Sequence, residues 1–240
     1  MKRRKYSYSD QRGRKRHSIW KILGFIFFFF LYIIITSLFF SSRILDNTSM
    51  ADNLRIGERF IFSSYNVNRI TSDQYPARGV ASIRRGNVVL VDMFREKKPG
   101  VFIIILDGMV RFFSLQRLGL LDQEEHVFIK RVIGLPGDEI TMSNFVIRVK
   151  VKGSAYYLTE FEVTDTSYTP AIPTMPALWS SSLPFSGNMD NIILGENECF
   201  VLSDDRSNTN DSRTWGPVPL SNISGKALFR YWPLIRFGRV

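Results

Sequence analysis

Two places in this chain hold residues suited to chemistry. One is the step Ser49-Met50. The other is Lys130, set in Phe128-Ile129-Lys130-Arg131-Val132-Ile133-Gly134-Leu135-Pro136-Gly137-Asp138. A serine hydroxyl needs a base before it can attack near neutral pH, and histidine is the usual one. The only histidines are His17, in a basic tail, and His126. A lysine can act instead if burial keeps it neutral, because loss of water disfavours the ammonium. At the ordinary pKa only about one lysine in 2,500 is neutral at pH 7, so a depression of two to three units, roughly 3–4 kcal/mol, is required. Phe128, Ile129 and Val132 supply apolar cover. The pairing of Ser49 with Lys130 points to a serine-lysine hydrolase. Taken singly, a Ser-Met step says little, and a strand lysine is more often a solvated one.

A third stretch, Ser203-Asp204-Asp205-Arg206-Ser207-Asn208-Thr209-Asn210-Asp211-Ser212-Arg213-Thr214-Trp215-Gly216, is dense in hydrogen-bonding side chains and mixes Asp with Arg. By itself it reads as an ordinary polar surface loop with local Asx-type turns.

The elements that must position these residues begin at a membrane. Ile22 to Ser42 is a run of 21 residues without a charge. As a helix it is roughly 30 Å long, the thickness of a bilayer core. It exceeds a signal-peptide apolar region and lacks a small-x-small exit, so it reads as a retained anchor. Residues 1–21 carry nine Lys/Arg against Asp10 alone and hold eight of the ten net positive charges. The basic excess therefore belongs to a cytoplasmic tail, with 43–240 across the membrane. That distribution argues against a nucleic-acid reader. With Cys199 as the single cysteine and one histidine on each side, thiolate and histidine metal sites are not expected. No second span is expected, since Val101–Leu106 is short and reads as a buried strand, with an amphipathic helix over Arg111–Leu121.

The exported part reads as mainly β. Val88–Asp92, Val127–Val132, Ile147–Val151, Tyr156–Val163, Glu198–Leu202 and Lys226–Trp232 are strand-like, with turns at Arg84–Asn87, Lys97–Gly100 and Gly134–Asp138. Residues 140–195 read as an inserted, smaller β region. Within it Pro170 to Gly187 carries Met175, Leu178, Trp179 and Phe185 and suits a covering loop.

Ser49-Met50, Arg85-Gly86-Asn87-Val88-Val89, Lys130 to Asp138, and Asp211-Ser212-Arg213-x-Trp215-Gly216 together resemble the ordered boxes of bacterial type I signal peptidases. The likeness runs from about Ile22 to the C-terminus and includes Lys226–Pro233 as the closing strand. It implies an antiparallel β catalytic domain with a smaller inserted β subdomain, behind one transmembrane helix. It also implies a cofactor-free endopeptidase of the cell membrane that removes signal peptides from preproteins. Ser49 is then the nucleophile and Lys130 the general base. Thr209 occupies the place of a serine that orients the lysine. Arg131, Asp204, Asp211 and Arg213 brace the site. Met50, Leu54, Phe128 and Ile129 line pockets for small side chains. Asn47 stands where the family often has a second oxyanion donor, a serine. Ala51-Asp52-Asn53 replaces the usual x-Pro-Thr, and Ser203-Asp204-Asp205 replaces Gly-Asp-Asn. These departures leave two alternatives open, a weak or inactive relative that binds exported segments and a maturation protease with one partner.

Overall fold

Val88-Val89-Leu90-Val91 and Val127–Gly134 are rich in β-branched residues and closed by turn residues, a composition that suits fully buried strands. In the computed structural model they pair antiparallel, Val89 opposite Lys130 and Leu90 opposite Ile129. The structure describes residues 8–51, 53–63, 83–93, 101–114, 118–120, 127–164, 168–174 and 187–240, without the side chains of 8–16, 36–38 and 101. His126, Asp52, the Lys97–Gly100 turn and most of the proposed covering loop lie outside the described residues.

The chain divides into two compact units, Met1–Leu38 with Pro99–Leu121, and Phe39–Lys98 with Asp122–Val240. The first holds α1 (Tyr8–Phe39) and α2 (Val101–Phe113). The stretch His17–Ile35 of α1 is long and apolar enough to cross a membrane. The helix stops at Phe39, so the last residues of the expected span, Phe40 to Ser42, belong to the first strand instead. Val101–Leu106 is likewise not a strand. It forms the first half of α2, which ends near where a separate helix was expected to begin. A six-residue apolar run does not distinguish the two, and the continuation through Phe113 decides for helix.

The second unit holds twelve strands among the described residues: β1 (Phe40–Ile44), β2 (Arg59–Ser63), β3 (Val88–Asp92), β4 (Val127–Gly134), β5 (Glu139–Ser143), β6 (Val146–Lys150), β7 (Leu158–Thr159), β8 (Met189–Ile193), β9 (Glu198–Leu202), β10 (Val218–Pro219), β11 (Ile223–Trp232) and β12 (Gly238–Arg239). The larger sheet runs β1-β2-β11-β3-β4-β9-β10, with β12 on β11, and the smaller runs β7-β6-β5-β8. All pairings between these strands are antiparallel. The smaller sheet, between β4 and β9 in the chain, packs Ile140, Ile147 and Val149 against Ile133, Phe200 and Leu202.

The Gly134–Asp138 turn shows why its residues are needed. A Cβ on Gly134 would lie 2.7 Å from Ile140 Cδ1 and 2.8 Å from Leu194 Cδ1, so only glycine lets the two sheets meet there. Gly137 has φ +82°, which favours a residue without a Cβ. Asp138 then accepts from the Arg85 guanidinium at 2.9–3.2 Å and from the Leu135 amide at 2.8 Å. Much of this box is therefore structural, tying the β3 turn to the end of β4.

Candidate active site

Side chains alternate along β4, so Lys130 shares a face with Phe128 and Val132 while Ile129 and Arg131 point the other way. Lys130 is almost wholly enclosed at 2% exposure, and its Nζ donates to Ser203 Oγ at 2.8 Å. Nζ also lies 5.9 Å from the Trp215 ring centroid. Burial pushes its pKa down from 10.5 to about 8. Asp211, Asp204 and Asp205 oppose that shift, and Arg213 adds to it. At pH 7 about one molecule in ten then carries a neutral amine, against about one in 2,500 for a free lysine.

Ser49 sits in a tight turn after β1, where the Ala51 amide donates to Thr48 O and the Leu54 amide to Met50 O. Its Oγ is buried and has no hydrogen-bond partner among the described residues. A buried, unpaired hydroxyl is costly in a native protein and marks a group held ready for something else. The Ser49 carbonyl accepts from the Asp205 amide at 3.0 Å, and Ser203, two residues before Asp205, accepts from Lys130. Serine and lysine thus rest against one three-residue segment after β9. Met50 anchors the turn in a core with Leu45, Leu54, Phe60, Phe62 and Ile129. Full burial of such a side chain is worth roughly 1.5–3 kcal/mol.

The acidic and basic residues of the third stretch are braces. Asp204 takes two hydrogen bonds from Arg131, at 2.6 and 2.7 Å, and one from Asn53 at 2.9 Å. Arg131 also donates to Gly86 O at 2.7 Å. One carboxylate thereby joins β4 to the nucleophile turn. Asn53 further bonds Thr169 O at 2.9 Å, so a residue that departs from the family pattern closes the turn on the connection between β7 and β8. Asp211 caps α3 (Ser212–Trp215), accepts from the Ser203 amide at 2.9 Å and pairs with Arg213. Behind them Arg206 and Glu160 form a fully buried pair, with the Tyr168 hydroxyl donating to the same carboxylate.

Two expected roles meet a different geometry. Among the described residues Ser203, not Thr209, holds the hydroxyl that accepts from Lys130, and Thr209 offers its carbonyl to the Thr214 hydroxyl. Ser203 stands where the family usually has glycine, so the substitution brings the hydroxyl with it. Asn47 points its amide oxygen, not its nitrogen, toward the site. Oδ1 accepts the Ser49 backbone N–H at 3.0 Å while Nδ2 is held by Asp46 at 3.0 Å. Of the four pocket residues, Met50, Leu54 and Ile129 share one apolar cluster, whereas Phe128 is half-buried against Trp215 with ring centroids 5.2 Å apart. Sequence reasoning missed the Lys130–Ser203 hydrogen bond, Asn53 as a tie and the Arg206–Glu160–Tyr168 group. Only the Asp/Arg density of the stretch hinted at the last.

A profile described as "Signal peptidase, peptidase S26" matches residues 18–232. The chain belongs to this family. Similar proteins include a probable signal peptidase I-1 of Synechocystis sp., 30% identical over 113 residues, 47% of this chain and 46% of that protein. A signal peptidase I of Leptolyngbya laminosa is 34% identical over 113 residues, 47% and 45% of the two chains. One of Bacillus caldolyticus is 33% identical over 135 residues, 54% and 66%. The chain spans about half the length of the first of these relatives. The mainly β, antiparallel architecture behind one long apolar helix agrees with the family's fold. Among the described residues no group of three or more His, Cys, Asp or Glu is spaced to hold a metal ion.

Proposed function

We propose that the chain is a membrane-bound serine endopeptidase that removes signal peptides from preproteins, with Ser49 as nucleophile and Lys130 as base. The observation that carries this reading is the buried, unpartnered Ser49 Oγ beside the segment that also holds Lys130, whose amine burial shifts toward neutrality. Neutral Lys130 takes the Ser49 proton as Oγ attacks the scissile carbonyl. The amine of the mature protein leaves with a proton from Lys130, which then draws one from water so that hydroxide releases the acyl group. Ser203 orients Lys130 through the step, and Asp211 fixes Ser203. The Ser49 N–H receives the oxyanion once Asn47 Oδ1 has been displaced from it.

The same reading places residues 1–21 in the cytoplasm and 43–240 on the exported side of the cell membrane, by the positive-inside rule. Met50, Leu54 and Ile129 favour small substrate side chains, with Phe128 as a more exposed wall. The test is to incubate the full chain in detergent with a preprotein and map the cut. Cleavage after a small residue at the signal-peptide junction, lost in Ser49→Ala, supports the proposal. An intact preprotein would overturn it.

A further inference from the structure

The helix that replaces the expected strand has no role in this mechanism. Val101–Leu121 is mostly apolar, with Asp107, Arg111 and Arg117 its only charged residues and Ser114 and Gln116 its only other polar side chains, and is bracketed by the charged Arg95-Glu96-Lys97-Lys98 and Asp122-Gln123-Glu124-Glu125. Within it α2 exposes Phe102 at 76% and Phe113 at 70%, and the residues after it expose Leu118 at 65%. Yet the end of α2 packs on the anchor. Phe112 lies 5.0 Å from Phe29 and 6.2 Å from Tyr32 between ring centroids, and Phe113 lies 5.9 Å from Phe29.

Phe29 and Tyr32 straddle the midpoint of the uncharged part of α1, between Lys21 and the helix end at Phe39. The ten residues from Phe29 to Phe39 rise about 15 Å, half the hydrocarbon thickness. The end of α2 is therefore level with the bilayer midplane wherever α1 spans. At 13 residues α2 is about 20 Å long, too short to cross, and the chain on both sides of it belongs to the second unit. It must turn back.

The turn is built for a place without water. Lipid offers no hydrogen bonds, so irregular backbone there has to be satisfied by protein. The Ser114 hydroxyl accepts from the Leu118 amide at 3.0 Å and bonds the Leu118 carbonyl at 3.1 Å. Asp107 Oδ1 accepts from the Leu120 amide at 2.6 Å, which doubles the chain back along α2. The same carboxylate is neutralised by Arg111 at 2.8 Å. Among the described residues the exposed surface is apolar, while the polar groups bond one another.

We propose that α2, Ser114 and Leu118–Leu120 form the described part of a re-entrant hairpin that dips into the bilayer beside the anchor, with lipid chains covering its exposed face. The occupant is lipid because α2 packs on α1, whose Phe25, Phe27 and Phe28 are equally bare. The inference rests on α1 being a membrane anchor, and its test separates the two. Full-length protein with Cys199→Ala and one new cysteine, at Phe113, Leu118, Phe27 or Tyr156, is labelled with an environment-sensitive fluorophore. It is then reconstituted into phosphatidylcholine–phosphatidylglycerol vesicles carrying nitroxides either at the headgroup or near the chain terminus. Labels at 113 and 118 should be quenched at least about twofold more by the deep nitroxide than by the headgroup one, as at 27, with 156 quenched by neither. Preferential headgroup quenching at both 113 and 118, or none, while 27 is quenched deeply, would overturn the hairpin and leave the anchor. Loss of quenching at 27 as well would overturn the anchor. Quenching at 113 and 118 that is lost on adding a signal-peptide segment would show that the face holds peptide, and would also overturn the lipid assignment.

Discussion

Lys130 Nζ donates to Ser203 Oγ at 2.8 Å, and the Ser203 amide is itself held by Asp211 at 2.9 Å. The lysine is therefore aimed from the beginning of the Ser203–Gly216 stretch and not from Thr209. A hydrogen bond to a charged group is worth about 1.5–3 kcal/mol, and accepting from the ammonium favours the charged form. Ser203→Ala should lower kcat/KM about tenfold to a hundredfold and move the alkaline-rising limb of its pH profile to lower pH. Ser203→Thr should recover most of the activity, and Thr209→Val should change little. A large loss in Thr209→Val with none in Ser203→Ala would return the role to Thr209.

The base itself gives the second expectation. With the Lys130 pKa near 8, kcat/KM should climb about tenfold per pH unit below 8 and level off above it. Ser49→Ala and Lys130→Ala should each abolish cleavage, whereas His126→Ala should be silent. A profile that levels off near pH 6.5 would point to a histidine instead.

Burying that lysine also costs stability. Between about 8 and 10.5 the unfolded chain still holds a proton that the folded chain has released, so stability from this group rises with pH through that window. Below it the protein carries a penalty of about 3 kcal/mol. Lys130→Met should therefore unfold about 1–3 kcal/mol harder at pH 7 and lose that advantage above pH 10.5, as chemical denaturation at the two pH values would show. Leaving the Ser203 hydroxyl without its donor takes back part of the gain.

How far the sequence disclosed all this depends on what each feature needs from the rest of the chain. Val88–Asp92 and the β4 run were legible because β-branched stretches between turn residues have few alternatives. Lys130 was legible as a buried strand lysine because Phe128, Ile129 and Val132 flank it. Val101–Leu106 was not, since six apolar residues fit a strand or a helix and only the packing of Phe112 and Phe113 on α1 separates them. The role of Ser203 was hidden for another reason. Its hydroxyl matters through a contact with a residue 73 positions away, set by the pairing of β4 with β9.

Glu160 and Arg206 are both fully enclosed, and their pairing joins the region around the smaller sheet to the Ser203–Gly216 stretch. Removing one partner of a buried ion pair leaves an uncompensated charge and costs about 3–5 kcal/mol. Glu160→Gln should therefore destabilise the protein by roughly that amount, read as a drop in the unfolding midpoint. Tyr168→Phe, which removes only a hydroxyl from the same carboxylate, should cost about 1–2 kcal/mol. Equal losses in the two variants would mean that the ion pair is not the dominant link.

Asn47 poses a sharper question, because its Oδ1 occupies the backbone N–H that a tetrahedral intermediate needs. The neutral amide can be displaced, and its nitrogen can then swing in as a donor. A carboxylate cannot do either. It would hold the Ser49 N–H with a charge-assisted bond and repel the developing oxyanion. Asn47→Asp should therefore cut kcat about a hundredfold or more, the ~3 kcal/mol expected when an oxyanion donor is lost. Asn47→Ser restores the family's residue type and should stay within about tenfold of the parent. Both variants should unfold at the same denaturant midpoint as the parent, since Asn47 is exposed. If Asn47→Asp cleaves at the parental rate, the oxyanion is held elsewhere, and the Asn47–Ser49 contact is only a turn.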